Sequence, residues 1–250
     1  MLKVNDISLS FGGLKAVNHV SMEVKDGTIT GLIGPNGAGQ TTFFNLVSGV
    51  YAPNEGNIEF DGKVISGKHC YQINEAGISR TYQVINLFKK MTVIENVLVG
   101  MHSRLKGDFM ASLLRTKAQR EEERDAREKA MELLRFVGLE RMANEPAAAL
   151  SYGEQRLLEI VRALASDPKL LLLDEPAAGM NTKENADLME LLKKIVERNV
   201  SILIIEHDIK LVMTVCDYIY VLYYGQKLAE GVPAQVQKNP DVIKAYLGGE

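Results

Sequence analysis

Between Gly34 and Thr42 the chain reads GPNGAGQTT, directly after the apolar TITGLI and before the apolar-periodic TFFNLVSGV. That order is strand, glycine loop, helix. Glycines let consecutive backbone N–H groups turn inward on an anion, and the helix N-terminus adds its partial positive charge, so the segment has the chemistry of a phosphate cradle. The hydroxyl of Thr41 would then sit on Mg²⁺. The pattern G-x-x-x-x-G-K-S/T is met at Gly34, Gly39 and Thr41, but its lysine position holds Gln40. A glycine-rich turn after a strand also serves as a plain tight connection, so the rest of the chain must decide.

Two further motifs bear on it. LLLLDEP sets Asp174 and Glu175 at the end of a continuous apolar run, where a parallel sheet delivers its functional residues. Asp174 would hold Mg²⁺ through water and Glu175 would polarise an attacking water; the plainer reading is a strand ending in a polar turn. Between these phosphate motifs lies LSYGEQ, Leu150 to Gln155, opening an apolar-rich helix. Ser151 with Glu154 three residues later fits a capping box, and a capped helix start is also an anion site.

The elements that must position these residues follow from the hydrophobic pattern. From Lys3 to about Phe60, the runs KVNDISLSF, HVSMEV, TITGLIG and GNIEF alternate with Gly, Asn and Asp turns, which predicts an antiparallel, strand-rich start. From about Lys89 to Arg135 the composition turns helical, and the apolar positions of RTKAQREEERDAREKAMELLRFVG recur at helical spacing in its second half. After Glu154, helical segments alternate with the apolar runs KLLLLDEP, VSILIIEHD and YIYVLYYG, which implies a buried parallel sheet. The mixed charges from Arg115 to Arg127 fit pairing along a solvated helix face better than a nucleic-acid stripe.

A chain of 250 residues can bury its core without cross-links, and its two cysteines, Cys70 and Cys216, match no metal spacing, so reduced thiols and the cytoplasm are expected. The start MLKVNDISLS lacks a basic segment followed by an apolar run, and no stretch approaches the roughly 18 apolar residues needed to span a bilayer, so any membrane role is expected to come through a partner. The net charge of −3 and the lack of a basic, aromatic-interleaved stripe argue against nucleic acid.

Taken together the motifs resemble the ATP-binding cassette family over nearly the whole chain. GPNGAGQTT looks like its Walker A loop, Gln83 like its glutamine loop, LSYGEQ like its signature, LLLLDEP like Walker B and His207 in IIEHD like the switch histidine, all in the family's order. Phe11 matches the aromatic that stacks on adenine, although an isolated phenylalanine is ordinarily core. AAGMN, Ala177 to Asn181, matches the D-loop but carries Asn181 where many members have Asp. The resemblance implies an α/β P-loop fold: a RecA-like parallel core with an N-terminal antiparallel β subdomain and a helical subdomain. The chain would form one cassette, 1–88 and 151–250 making the core lobe and 89–150 the helical lobe. It implies ATP and Mg²⁺ as ligands. Phe11, Gly34, Pro35, Asn36, Gly37, Ala38, Gly39, Gln40, Thr41, Thr42, Ser151, Gly153 and Gln155 would bind nucleotide. Thr41, Gln83 and Asp174 would serve the metal, and Glu175, His207 and Gln83 catalysis.

Within the family, FGGLKAV, DEPAAGMN, the long charged insertion and the ending IKAYLGGE are similar to ATP-binding subunits of branched-chain amino-acid importers; a nearby branch moves lipopolysaccharide. The resemblance implies integral-membrane permease subunits, a second cassette that is identical or a sister chain, a solute-binding protein in the full system, no nucleic acid, and a peripheral place on the inner face of the cell membrane. Gln40 departs from the pattern: lysine would deliver a full charge to the β- and γ-phosphates, glutamine only neutral amide donors. Hydrolysis is therefore expected to be strongly reduced while nucleotide binding persists. Such a glutamine fits a substitution that traps one state, a natural subunit beside an active partner, or a regulatory nucleotide-binding module. A soluble cassette protein of translation or DNA repair would carry two cassettes or a long coiled insertion.

Overall fold

The computed structural model describes residues 1–102 and 117–247. Expectations that reach Arg115, Thr116 or the final Gly248–Glu250 lie outside the described residues. The chain forms two compact units, Met1–Arg80 with the segment from Lys169 onward, and Thr81–Pro168.

In the first unit, β1 (Leu2–Phe11), β2 (Leu14–Val24), β4 (Glu55–Phe60) and β5 (Lys63–Val64) make an antiparallel sheet in the order β2-β1-β4-β5. β3 (Ile29–Ile33) departs from the strand-rich antiparallel start expected of it. It runs parallel to β8 (Ser201–Ile205) and β9 (Tyr218–Tyr223) inside a second sheet, ordered β10-β9-β3-β8-β7-β6. All five residues of β3 are buried, so it needs cover on both faces, which a half-solvated antiparallel sheet does not offer. β6 (Ile78–Arg80) and β7 (Leu170–Asp174) continue the parallel set, and β10 (Gln226–Gly231) closes the far edge antiparallel.

Helix α1 (Gln40–Val47) joins the two sheets through its core. Phe43, Phe44, Leu46 and Val47 share one apolar cluster with Val4, Ile7 and Val20 of the antiparallel sheet and with Leu32, Leu172 and Ile205 of the parallel one. In β7, Leu170 and Leu172 face that cluster, as the two-residue period of a strand requires. Cys216 is buried and its thiol is pushed up to about 12, first by burial and then by Asp217; Cys70 is exposed, and both are free thiols.

The unit Thr81–Pro168 holds α3 (Val93–Gly100), α4 (Lys117–Phe136) and α5 (Tyr152–Leu164), which pack on one another; α2 (Cys70–Ala76) belongs to the first unit. On α4, Ala126, Ala130, Leu133 and Leu134 are buried at helical spacing, while Arg124 and Asp125 pair on the exposed side. α5, assigned from sequence to the core lobe, groups instead with α3. Gly100 explains the closeness, because a Cβ there would lie 2.1 Å from the Arg162 carbonyl oxygen.

Asn181, the departure in the AAGMN loop, caps α6 (Thr182–Glu197): its Oδ1 accepts from the N–H groups of Lys183 (2.9 Å) and Glu184 (3.0 Å), and Glu184 bonds back to the Asn181 N–H (2.8 Å). Asn181→Ala is expected to lower stability by about 1 kcal/mol, read as a shift of the denaturant midpoint.

Candidate functional site

Three neighbouring parallel strands deliver the motifs. The glycine loop follows β3, His207 follows β8 and Asp174 ends β7, so these residues meet at the carboxyl edge of the sheet, where open parallel sheets place their ligands. The loop's path admits little but glycine at two points. A Cβ on Gly34 would lie 2.4 Å from the Leu222 carbonyl oxygen, and Gly39, at φ +102°, would bring one 2.4 Å from that of Ala16.

The loop is held by its backbone. Ala38 N–H donates to the Pro35 carbonyl (3.0 Å), Gly225 N–H to that of Ala38 (3.0 Å), and Asn18 N–H to that of Gly225 (2.8 Å). Gly39 supplies no capping side chain, so the first-turn N–H groups of α1, at Gln40, Thr41 and Thr42, are left for an external acceptor.

A cleft of about 510 Å³ opens over this loop, within the range of small-molecule sites. Phe11, Asn36, Gly37, Gly39, Gln40, Thr41, Thr42, Glu175 and His207 all line it. Phe11 stands half-exposed at its mouth, edge-on to Tyr51 with ring centroids 5.2 Å apart. Gly34, Pro35 and Ala38 shape the loop rather than the lining. Gln40 is only 6 % exposed, and its Nε2 donates to the Leu32 carbonyl of β3 at 3.2 Å. One of its two amide N–H groups is thus engaged by the strand behind the loop.

Glu175 adopts a left-handed backbone (φ 48°), with its N–H donating to the Ile205 carbonyl at 2.9 Å, and its Oε1 lies 3.0 Å from His207 Nε2. A non-glycine residue held in that region is strained, a recurrent feature of functional sites. Beneath the pair, Glu206 is buried and accepts from the N–H groups of Ala177 (2.7 Å) and His207 (3.1 Å). Burial, the largest effect, pushes the Glu206 carboxyl above its ordinary value of 4.5. The folded state then binds the proton more tightly than the unfolded one, so Glu206's contribution to stability is full below 4.5 and is lost as pH rises through its folded pKa. Glu206→Gln is expected to make the decline of denaturant midpoint with pH shallower just above that value.

Asp174 is buried, and Arg80 Nη2 donates to its Oδ2 at 2.8 Å. Arg80 Nη1 also donates to Asn45 Oδ1 of α1 (2.8 Å) and to Oγ of its C-cap Ser48 (2.9 Å), and its guanidinium lies 5.4 Å from the Phe44 ring centre. This tie between the phosphate-loop helix and the acidic strand end was missed from sequence, as were Tyr224 and Gly225, which line the cleft. The one available signal for Arg80 was a cation closing the short run ISR before Gln83. Thr41 and Asp174 offer the hard oxygen donors that suit Mg²⁺.

The remaining predicted residues belong to the second unit. Ser151 caps α5 in the expected box, its N–H donating to Glu154 Oε2 at 2.8 Å and its Oγ accepting from Glu154 N–H at 3.4 Å. Gly153 is buried in the first turn, and Gln155 Nε2 donates to the Leu150 carbonyl at 2.9 Å. The Gln83 carbonyl accepts from Arg156 Nη2 at 3.0 Å.

A profile of the ABC transporter family matches residues 17–178, and one described as branched-chain amino acid ATP-binding cassette transporter matches 226–250. The chain is 48 % identical over 249 residues to the high-affinity branched-chain amino acid transport ATP-binding protein BraF of Pseudomonas aeruginosa, covering 99 % of this chain and 98 % of that one. It is 47 % identical, with the same coverage, to the corresponding protein LivG of Escherichia coli. Among solved structures, a nucleotide-free ATP-binding cassette from an ABC transporter superposes with a TM-score of 0.87 at 34 % identity, covering 100 % of this chain and 99 % of that one. A dimeric bacterial ABC transporter cassette gives a TM-score of 0.77 at 26 % identity, covering 93 % of this chain and 99 % of that one. With its glycine loop, acidic strand end and histidine gathered at one sheet edge, the chain belongs to the ABC transporter family, among the ATP-binding proteins of the branched-chain amino acid branch.

Proposed function

We propose that this chain is the ATP-binding subunit of an importer for branched-chain amino acids or related small solutes, that it works as one of two facing cassettes on integral-membrane permease subunits, and that Gln40 slows its hydrolysis. The observation that carries the reading is the single cleft joining Phe11, the glycine loop, Glu175 and His207. Adenine stacks on Phe11, and the phosphates lie on the N–H groups of the loop and of Gln40 to Thr42. Glu175 accepts a proton from the attacking water, and His207, hydrogen-bonded to it in this structure, holds that geometry.

Mg²⁺, when bound, would supply positive charge to offset that of the phosphates. Thr41, Asp174 and Gln83 would hold it. Ser151, Gly153 and Gln155 at the start of α5 serve the nucleotide of the facing cassette. Binding then closes the pair and loss of the γ-phosphate opens it, a population shift that the permease converts into alternating access.

No helix among the described residues is long and apolar enough to cross a membrane, so attachment to the inner face of the cell membrane comes through the permease. A solute-binding protein supplies the cargo in the full system. The buried Gln40 amide favours one second reading, a regulatory module that binds ATP without pumping. Co-expression with candidate permease subunits separates the two. The importer reading expects a stable complex and ATP-dependent leucine uptake into vesicles when this chain carries Gln40→Lys; a complex without uptake in that variant supports the regulatory module.

A further inference from the structure

Two arginines of α5 reach the loop that carries Gln83. Arg156 Nη1 donates to the Tyr82 carbonyl and to Glu159 Oε2, both at 2.8 Å, while Nη2 donates to the Gln83 carbonyl at 3.0 Å. The side chains of Arg156 and Glu159 are 0 % and 1 % exposed. Six residues on, Arg162 Nη1 donates to the Asn86 carbonyl at 2.5 Å, and its guanidinium lies 6.0 Å from the Phe88 ring centre. One helix therefore holds the segment from Tyr82 to Phe88 at several points.

A buried ion pair is a poor source of stability. Its desolvation penalty often exceeds the attraction, and apolar side chains of equal volume pack as well or better. Burial pushes the Glu159 carboxyl above its ordinary range even beside Arg156, which shows the penalty acting. What the pair supplies is geometry: a planar fork reaches two consecutive carbonyls and a carboxylate at once, which neither an apolar residue nor the point charge of lysine reproduces. Arg156 also sits on the same rigid helix as Ser151, whose place is fixed by the box with Glu154.

We propose that Arg156 is a positioning residue that locks the Gln83 backbone to the Ser151 end of α5, so that the two nucleotide-facing parts of this unit move as one body. The inference rests on the ATP-cassette reading for its purpose. A displacement of Gln83 on meeting nucleotide passes to Ser151 without slack, and the helix start shifts with it.

The test is hydrogen exchange by mass spectrometry on the full chain, on Arg156→Lys and on the charge-free Arg156→Met/Glu159→Met, with and without Mg²⁺ and ATP. Without nucleotide, the double variant is expected to exchange at 82–88 at least about tenfold faster, with α3 and the melting temperature little changed and Arg156→Lys between the two. With ATP, protection at 82–88 and at the first turn of α5 should rise together in the unaltered chain and separately in the double variant. Unchanged basal exchange at 82–88 in the double variant would overturn the positioning role, as would joint protection surviving the loss of Arg156. The basal arm needs no nucleotide; if ATP protects nothing, including the glycine loop at 34–42, the ATP reading fails while the positioning role is still decided.

Discussion

Gln40→Lys is expected to raise the rate of ATP hydrolysis by on the order of a hundredfold or more. In the present chain the Gln40 side chain is buried and one of its amide N–H groups is engaged by the Leu32 carbonyl, so it lends the phosphates no charge and at most one neutral donor. A lysine ammonium about 4 Å from a phosphate charge is worth roughly 4 kcal/mol at an effective dielectric near 20. About 1.4 kcal/mol is a factor of ten in rate, so two-thirds of that energy falling on the transition state gives roughly a hundredfold. The remaining groups survive the substitution in place: the loop N–H groups, Thr41, and the Glu175–His207 pair. Steady-state phosphate release in Mg²⁺ from the two chains side by side measures the ratio. Equal rates would show that the brake lies elsewhere.

Arg80→Met is expected to cost about 3 to 5 kcal/mol of stability, because it leaves the buried Asp174 carboxylate without its guanidinium partner and strips Asn45 and Ser48 of their donor. Equilibrium denaturation reads the loss directly. The double variant Arg80→Met/Asp174→Met is expected to recover most of it, since a buried pair replaced whole by apolar groups is often neutral. A loss below about 1 kcal/mol in the single variant would mean that solvent reaches Asp174 once Arg80 is gone. Through α1 the same tie links the acidic strand end to the helix under the glycine loop, so Arg80→Met should also weaken nucleotide binding.

The parts of the site that were legible in the sequence are those made by consecutive residues. A glycine loop between a strand and a helix, a carboxylate pair closing an apolar run and a serine with a glutamate three residues later each state their geometry locally, because strand, turn and cap chemistry act over a few residues. Thus Glu175 and His207, 32 positions apart, were both placed at strand ends, and the sheet brings them into hydrogen-bond contact. Arg80 and Arg156 were missed because their partners are remote: Asp174 is 94 positions from Arg80, and Tyr82 is 74 from Arg156. No local spacing encodes such pairs. The fold was misread for the same reason at β3, whose short apolar run looks alike in either sheet until its burial on both faces is known. The membership of α5 was misread too, because apolar periodicity says that a helix is amphipathic without saying against what.

Equilibrium titration of the unaltered chain with ATP in Mg²⁺, alongside Phe11→Ala, tests the central claim most directly. The account predicts saturable binding of one ATP per chain despite Gln40, weakened several-fold when the Phe11 ring is removed. Absence of saturable binding, or binding indifferent to Phe11→Ala, would contradict it.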